Sequence, residues 1–537
     1  MPNKEQEPML RVRSLQVSYK QNQQSIPILK NLSFELRKGE VLAVLGESGS
    51  GKSTMAKAVT GLLPPSAIVG GGSLEVGSLR IGDLSDSGIP WKQVRGRRIA
   101  MLFQDARLAL NPVLRIQDHF RESLLYHRLA SADEVLSVSA RLLSLLGFAD
   151  APAILSSYPF QLSGGMCQRV CLALALSLKP SVLIADEPTS ALDTVSQREV
   201  LDCLERMQRE LGLTVLLITH DIAVARAVSH RVMVLRRGVI EEEGDTRSVL
   251  SRPRTAYTRR LLAARAQLAR PSRDRKMPPL SASGPLLEVI GLNKSFHPSK
   301  PILQDIHLAL NPKEIVGILG QSGCGKSTLA RCIAGLESPG GGRVLIRGNE
   351  ISGLKGRARR DICKRIQLVF QEARASLNPG RTALQLVQEP LHYLHIGTRR
   401  EREAMARLYL HEVGITGDAL SRRPPQLSTG QCQRIAIARA LVLKPEILIC
   451  DEAVSALDMN VQAHILALLQ RLHKQYGFSM IMISHDIRVL RSFCHRIAVM
   501  NEGSFCEVRQ ADDLLQESNQ PYTQLLLKCA GDMEEGF

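Results

Sequence analysis

Short apolar runs that end in polar residues punctuate this chain. EVLAVLG from Glu40, VLIADE from Val182 and VLLITHD from Val215 have strand length and composition, and they close on glycine, carboxylate and histidine respectively. The same pattern returns as EIVGILG from Glu314, ILICDE from Ile447 and MIMISHD from Met480. The glycine loops run into helix-compatible stretches, STMAKAVTGLL and STLARCIAGL. Fully apolar strands alternating with helices predict an α/β fold with a largely parallel central sheet, whose ligands bind beyond the carboxyl ends of the strands.

The recurrence is a repeat of whole domains. GESGSGKST at Gly46 returns as GQSGCGKST at Gly320, an offset of 274, while LSGGMCQR at Leu162 and IADEPTSALD at Ile184 return at Leu427 and Ile449, both at 265. Such a period exceeds any solenoid repeat, so two complete domains stand in tandem. The first has a longer insert around SAIVGGGSLEVG. From Arg270 to Pro285 the chain mixes Pro, Ser, Gly and charge without apolar periodicity, as a linker does. The expected boundaries are 1–251 for the first domain, 252–284 for a basic tail and linker, 285–518 for the second domain and 519–537 for a C-terminal tail.

Composition narrows the function. The 537 residues, 44% hydrophobic and 23% charged, exclude a disordered or fibrous protein. Aromatics at 4%, with Trp91 the one tryptophan, argue against stacking platforms for single-stranded nucleic acid. Of the net charge of +17, +8 lies in residues 252 to 276, where nine basic residues face one acidic. The start of the chain has no apolar segment and no run of 18 apolar residues occurs, so an intracellular chain that does not span the membrane is expected. Its 11 cysteines form no C-x-x-C pair and read as reduced core residues.

Gly46 to Ser53 and Gly320 to Ser327 match G-x-x-x-x-G-K-[ST] between a strand and a helix. Such a loop turns backbone N–H groups toward phosphates, its Lys reaches β/γ oxygens and its hydroxyl binds Mg²⁺. The expected cradle is Gly46, Ser48, Gly49, Gly51, Lys52, Ser53 and Thr54, repeated as Gly320, Ser322, Gly323, Gly325, Lys326, Ser327 and Thr328. Asp186-Glu187 and Asp451-Glu452 supply paired carboxylates with different roles, Asp in the Mg²⁺ shell and Glu as general base toward water. His220 and His485, each 34 residues after its Asp, are expected to reach the γ-phosphate or the attacking water. Gln104 and Gln371 follow short apolar runs and fit Mg²⁺ ligands, though position alone equally fits an exposed loop amide. Ser163, Gly164 and Gly165, and in the second copy Ser428 and Gly430, open helices and form a second potential anion site, which an ordinary capped helix also explains.

In this order the motifs resemble the ATP-binding-cassette superfamily, over nearly the whole chain and in two copies. The resemblance implies ATP and Mg²⁺ as ligands, and assigns adenine stacking to Tyr19 and Phe296. It further implies that the cassettes close head to tail, Gly46 to Ser53 facing LSTGQ and Gly320 to Ser327 facing LSGGM. Thr429 stands where the family signature has its first Gly; a β-branched residue is costly there if φ is positive, so the site built on Lys52 is expected to be the slower one.

Within the superfamily, FQDARLALNP, FQEARASLNP and the tails RPRTAYTRRLL and QPYTQLLL resemble the ATPases of peptide and nickel importers. That resemblance implies an energy-coupling subunit on the cytoplasmic face of a bacterial inner membrane, peripheral to it. Its partners would be two transmembrane permease subunits and a substrate-binding protein. No iron–sulfur cluster is expected, because the linker lacks Cys. The alternative is a soluble tandem cassette acting on ribosomes or nucleic acid. It accounts for the basic charge, but the short connector broken by Pro271, Pro278, Pro279 and Pro285 speaks against it.

Overall fold

The computed structural model describes residues 8–21, 24–86, 88–190, 192–269, 284–297, 300–454, 457–514 and 518–535. Most of the connector expected between Arg270 and Pro285 lies outside them, as do Ala191, Ser455 and Ala456 of the two SALD segments. The chain divides into two compact units, one of Met1–Ala263 with Gly531–Phe537 and one of Ala264–Ala530.

In the first unit, β1 (Pro8–Gln21), β2 (Gln24–Arg37), β4 (Ala67–Val76) and β5 (Leu79–Ile81) form an antiparallel sheet in the order β2-β1-β4-β5. A second sheet, in the order β10-β9-β3-β8-β7-β6, joins β3 (Val41–Leu45), β6 (Ile99–Leu102), β7 (Val182–Asp186), β8 (Thr214–Ile218), β9 (Arg231–Arg236) and β10 (Val239–Asp245). All its pairings are parallel except β9 with β10.

The pleat explains why its central strands read as unbroken apolar runs. Leu42 and Val44 of β3, Val182 and Ile184 of β7, and Leu216 and Ile218 of β8 face a core shared with the antiparallel sheet. The alternate residues Val41, Leu183, Ala185, Val215 and Leu217 join a second core with the helices, including Phe120, Leu143 and Val170. Both faces are covered, so alternation of polar and apolar residues disappears.

The second unit repeats this plan. Here β11 (Leu287–His297), β12 (Lys300–Leu310), β14 (Gly341–Ile346) and β15 (Asn349–Glu350) form the antiparallel sheet. The order β16-β17-β18-β13-β19-β20 joins β13 (Ile315–Leu319), β16 (Ile366–Val369), β17 (Ile447–Asp451), β18 (Ser479–Ser484), β19 (Arg496–Asn501) and β20 (Ser504–Gln510). All eleven cysteines are free thiols and seven are buried. Burial pushes the Cys450 thiol up to about 12. Among the described residues no helix is long and apolar enough to cross a membrane.

Candidate functional site

Parallel register brings the predicted residues to one edge of each larger sheet. Val44 pairs with Ile218, Ile218 with Asp186, and Ala185 with Leu102, so the ends of β3, β8, β7 and β6 stand side by side. The residues that follow them are Gly46, His220, Glu187 and Gln104. Leu319, Ser484, Asp451 and Val369 end the matching strands of the second unit.

The loop after β3 wraps a lysine. Gly49 and Gly51 have φ of 79° and 108°, and Gly323 and Gly325 have 86° and 109°, values that L side chains rarely adopt. Lys52 Nζ donates to the carbonyls of Gly46 (2.7 Å) and Glu47 (2.9 Å); Lys326 Nζ donates to those of Gly320 (2.8 Å) and Gln321 (2.7 Å). Both lysines are buried. The ammonium is thus held within its own loop, and an incoming phosphate is the stronger acceptor for it. Ser48, Gly49, Ser322 and Gly323 form the exposed rim, and Thr54 and Thr328 lie in the first turn of the helices that start at Lys52 and Lys326.

Ser53 Oγ donates to Asp186 Oδ1 at 3.1 Å, and Ser327 Oγ to Asp451 Oδ1 at 3.0 Å. Burial pushes both Asp carboxyls above the usual carboxylate range, a penalty that a cation bound beside them would relieve. A hydroxyl and a carboxylate are hard oxygen donors that suit Mg²⁺, which completes its shell with water and phosphate.

Glu187 and Glu452 leave the strand line through left-handed backbone, φ 49° and 46°. This conformation costs about 1 to 3 kcal/mol for a non-glycine residue. It is held by their N–H groups donating to Ile218 O (2.8 Å) and Ile483 O (3.1 Å). The turn aims Glu187 at its neighbours: Gln104 Nε2 donates to Oε2 at 2.9 Å and His220 Nδ1 lies 3.3 Å from Oε1. Burial pushes the Glu187 carboxyl up, but His220 and then Lys52 offset it and hold it below the ordinary range. In return Glu187 lifts the imidazole against its own burial. In the second unit Gln371 Nε2 is 2.9 Å from Glu452 Oε2 and His485 Nδ1 is 3.7 Å from it. The two glutamines, expected as metal ligands, are hydrogen-bonded to the glutamates.

Ser163 and Ser428 cap the helices Gly164–Ser177 and Thr429–Leu441, accepting from Met166 N (3.2 Å) and Gln431 N (3.2 Å). Gln431 returns the bond to Ser428 N at 3.0 Å, which Met166 has no side-chain acceptor to do. Thr429 opens its helix without positive φ, and Gly164 likewise. The backbone-strain reason for a slower first site is therefore wrong: the start of a helix fits Thr as well as Gly. Tyr19 is half-buried on β1, whereas Phe296 on β11 is 53% exposed with Lys294 Nζ 5.0 Å from its ring centroid.

Three kinds of contact have no forerunner in the motifs. Arg107 and Arg374 donate to the carbonyls of Leu162 (3.3 Å) and Leu427 (2.5 Å), tying each glutamine segment to a signature start. Arg488 forms a two-pronged pair with Asp486 beside His485, both bonds 2.9 Å, where the first unit has Ala223. Tyr257 and Tyr522 accept N–H bonds from Glu47 (3.3 Å) and Gln321 (3.1 Å) inside the phosphate loops. The signal for the tyrosines was present: they lie 265 residues apart, the offset of the other repeated motifs.

A model of the ABC transporter family matches residues 29–190 and 303–455, well over half of the chain. The chain belongs to the ABC transporter family. It is an ATPase made of two tandem cassettes, and a model described as the oligopeptide/dipeptide transporter C-terminal region matches residues 241–300. Among curated ABC proteins, the glutathione import ATP-binding protein GsiA of Escherichia coli O6:H1 is 36% identical, covering 97% of this chain and 89% of that one. Those of Escherichia coli K12 and Pectobacterium atrosepticum are each 35% identical with the same coverage. Among solved structures, the dimeric ATP-binding cassette MJ0796 bound to ADP and phosphate is 31% identical. It covers 42% of this chain and 98% of its own, with a TM-score of 0.39.

Proposed function

We propose that this ABC ATPase is the energy-coupling subunit of a membrane importer for peptide-type cargo, glutathione-like peptides included. The observation that carries the reading is the tandem-cassette relatives, import ATP-binding proteins alike over 97% of the chain. The matched oligopeptide/dipeptide C-terminal region supports it and weighs against action on ribosomes or nucleic acid. Nickel or another metal chelate is the other cargo class that the motifs suit.

In this reading ATP binds with its phosphates on the Lys52 and Lys326 loops and its adenine beside Tyr19 and Phe296. Each lysine exchanges its loop carbonyls for β/γ oxygens. Ser53 with Asp186, and Ser327 with Asp451, hold Mg²⁺, which neutralises charge developing on the phosphates. Glu187 and Glu452 accept the proton of the attacking water, a task that needs the Oε atoms freed from Gln104 and Gln371. His220 and His485 hold the water or the γ-phosphate. Ser163, Gly164 and Gly165 serve the Lys326 loop and Ser428 and Gly430 the Lys52 loop, through head-to-tail closure of the cassettes.

Coupling to permeases follows the same contacts. After Gln104, Asp105 caps the short helix Ala106–Ala109, whose Leu108 is exposed, and Val113, Tyr126 and Phe160 in the following segments are exposed apolar side chains too. We take these exposed apolar side chains as the docking region for a permease. Movement there reaches Glu187 through Gln104 and the signature helix through Arg107. The location proposed is the cytoplasmic face of the inner membrane, with two permeases and a binding protein completing the system. Affinity purification of the tagged chain from detergent extract tests this: two polytopic permeases are expected to co-purify, and recovery of ribosomes or DNA in their place refutes it.

A further inference from the structure

Each cassette is followed by a segment that returns to its own phosphate loop. In the first unit, buried Glu242 of β10 accepts from Arg254 N (2.8 Å), Thr255 N (3.2 Å) and Thr255 Oγ1 (3.3 Å). These bonds fix the start of the helix Ala256–Ala269. Its second residue, Tyr257, is 5% exposed, with the Arg236 guanidinium 4.8 Å from the ring centroid. The hydroxyl accepts the Glu47 N–H at 3.3 Å. The second unit repeats the arrangement from a different stretch of chain. Glu507 of β20 accepts from Ser518 Oγ at 2.6 Å, the helix Pro521–Glu535 follows, and Tyr522 accepts the Gln321 N–H at 3.1 Å.

The bonded peptide is the first of the loop. On one side its carbonyl, Gly46 or Gly320, takes the lysine ammonium; on the other its N–H meets the tyrosine hydroxyl. When the lysine turns to phosphate, the tyrosine hydroxyl still holds this peptide by its N–H. Loop N–H groups bind anions in proportion to how well they are pre-aimed.

We propose that Tyr257 and Tyr522 are positioning residues of the two phosphate loops, and that the tail after each cassette thereby sets the affinity of that loop for nucleotide phosphates. The proposal rests on the reading of these loops as the ATP sites. Tyr257→Phe and Tyr522→Phe keep the ring and remove the hydroxyl.

The test is MgADP binding to the purified full chain by titration calorimetry, with the KM and kcat of ATP hydrolysis. Each Phe variant is expected to weaken one of two binding events about 3- to 10-fold, the range of one lost hydrogen bond. KM rises by the same factor while kcat stays within about twofold, a split that a merely structural role would not produce. An unchanged dissociation constant, or a fall in kcat with KM unmoved, overturns the proposal. Glu242→Gln and Glu507→Gln touch neither loop but loosen the start of the same helices. They are expected to weaken MgADP in the same direction, also where a Phe variant folds poorly; parent-like binding in both overturns the role of the tail. Lys52→Ala and Lys326→Ala separate the two levels. If they bind MgADP as the parent does, the loop reading itself fails; if they lose it while the Phe variants do not, the tyrosine proposal alone fails.

Discussion

Replacing Glu187 and Glu452 together by Gln tests the assignment of the general bases most directly. Each carboxylate is already held: Gln104 donates to Glu187 at 2.9 Å, and Gln371 to Glu452 at 2.9 Å. A glutamine in the same place still accepts from that neighbour through its own oxygen, so the side chain stays where it was. What disappears is the negative charge and the ability to take a proton. Loss of a general base costs about 10²- to 10⁴-fold in turnover, or about 2.7 to 5.4 kcal/mol of barrier. Nucleotide affinity moves the other way. Lys326 Nζ lies 4.0 Å from Glu452 Oε1, the side chains 4% and 12% exposed, so the carboxylate competes with phosphate for the ammonium. Removing that competitor, worth about 1 kcal/mol, tightens ATP about fivefold at the Lys326 loop and less at the Lys52 loop. Steady-state hydrolysis and equilibrium MgATP binding on the full chain check both parts. Turnover of the double variant within threefold of the parent refutes the base assignment, and affinity weakened more than tenfold would show the glutamates to be binding residues instead.

Met166→Gln should give Ser163 the same capping box that Ser428 and Gln431 form in the second unit, adding about 0.5 to 1 kcal/mol and raising the melting temperature of the first unit by about 1 to 4 °C; an unchanged or lower value counts against it. Cys324, half-buried with its Sγ 4.0 Å from Lys326 Nζ, is expected to be alkylated by maleimide in the nucleotide-free chain with loss of ATPase and to be protected by MgATP. Cys324→Ser should keep activity and lose that sensitivity, so equal inhibition of both proteins would refute the expectation. Glu242→Gln should lower the melting temperature at pH 7. Burial pushes this carboxyl up, but the Arg254 and Thr255 N–H groups and the Thr258 and Thr255 hydroxyls hold it below the usual range. Its contribution is therefore complete above the unfolded value of about 4.3 and is lost as pH falls through the folded one. The difference between parent and variant narrows as pH falls below that unfolded value, and a difference constant from pH 7 to pH 3 would contradict this.

The chemistry that depends on neighbours in the chain was legible in the sequence. A loop that needs positive φ at Gly49 and Gly51 shows its glycines. A strand buried on both faces shows an unbroken apolar run, and a carboxylate at its end, such as Asp186, shows the ligand edge. The repeat doubled every such signal. What the sequence left open were contacts between segments far apart in the chain. Gln104 and Glu187 are separated by 83 residues, and Tyr257 and Glu47 by 210; parallel register in one case and a returning helix in the other bring them together. Backbone conformation at single residues was also invisible: Thr429 is helical and Glu187 left-handed, because the start of a helix decides the first and a hydrogen bond to Ile218 on the next strand the second. Local covalent preferences are written residue by residue and can be read that way. Pairings across the sheet edge depend on where the intervening chain returns, which only the packed tertiary structure decides.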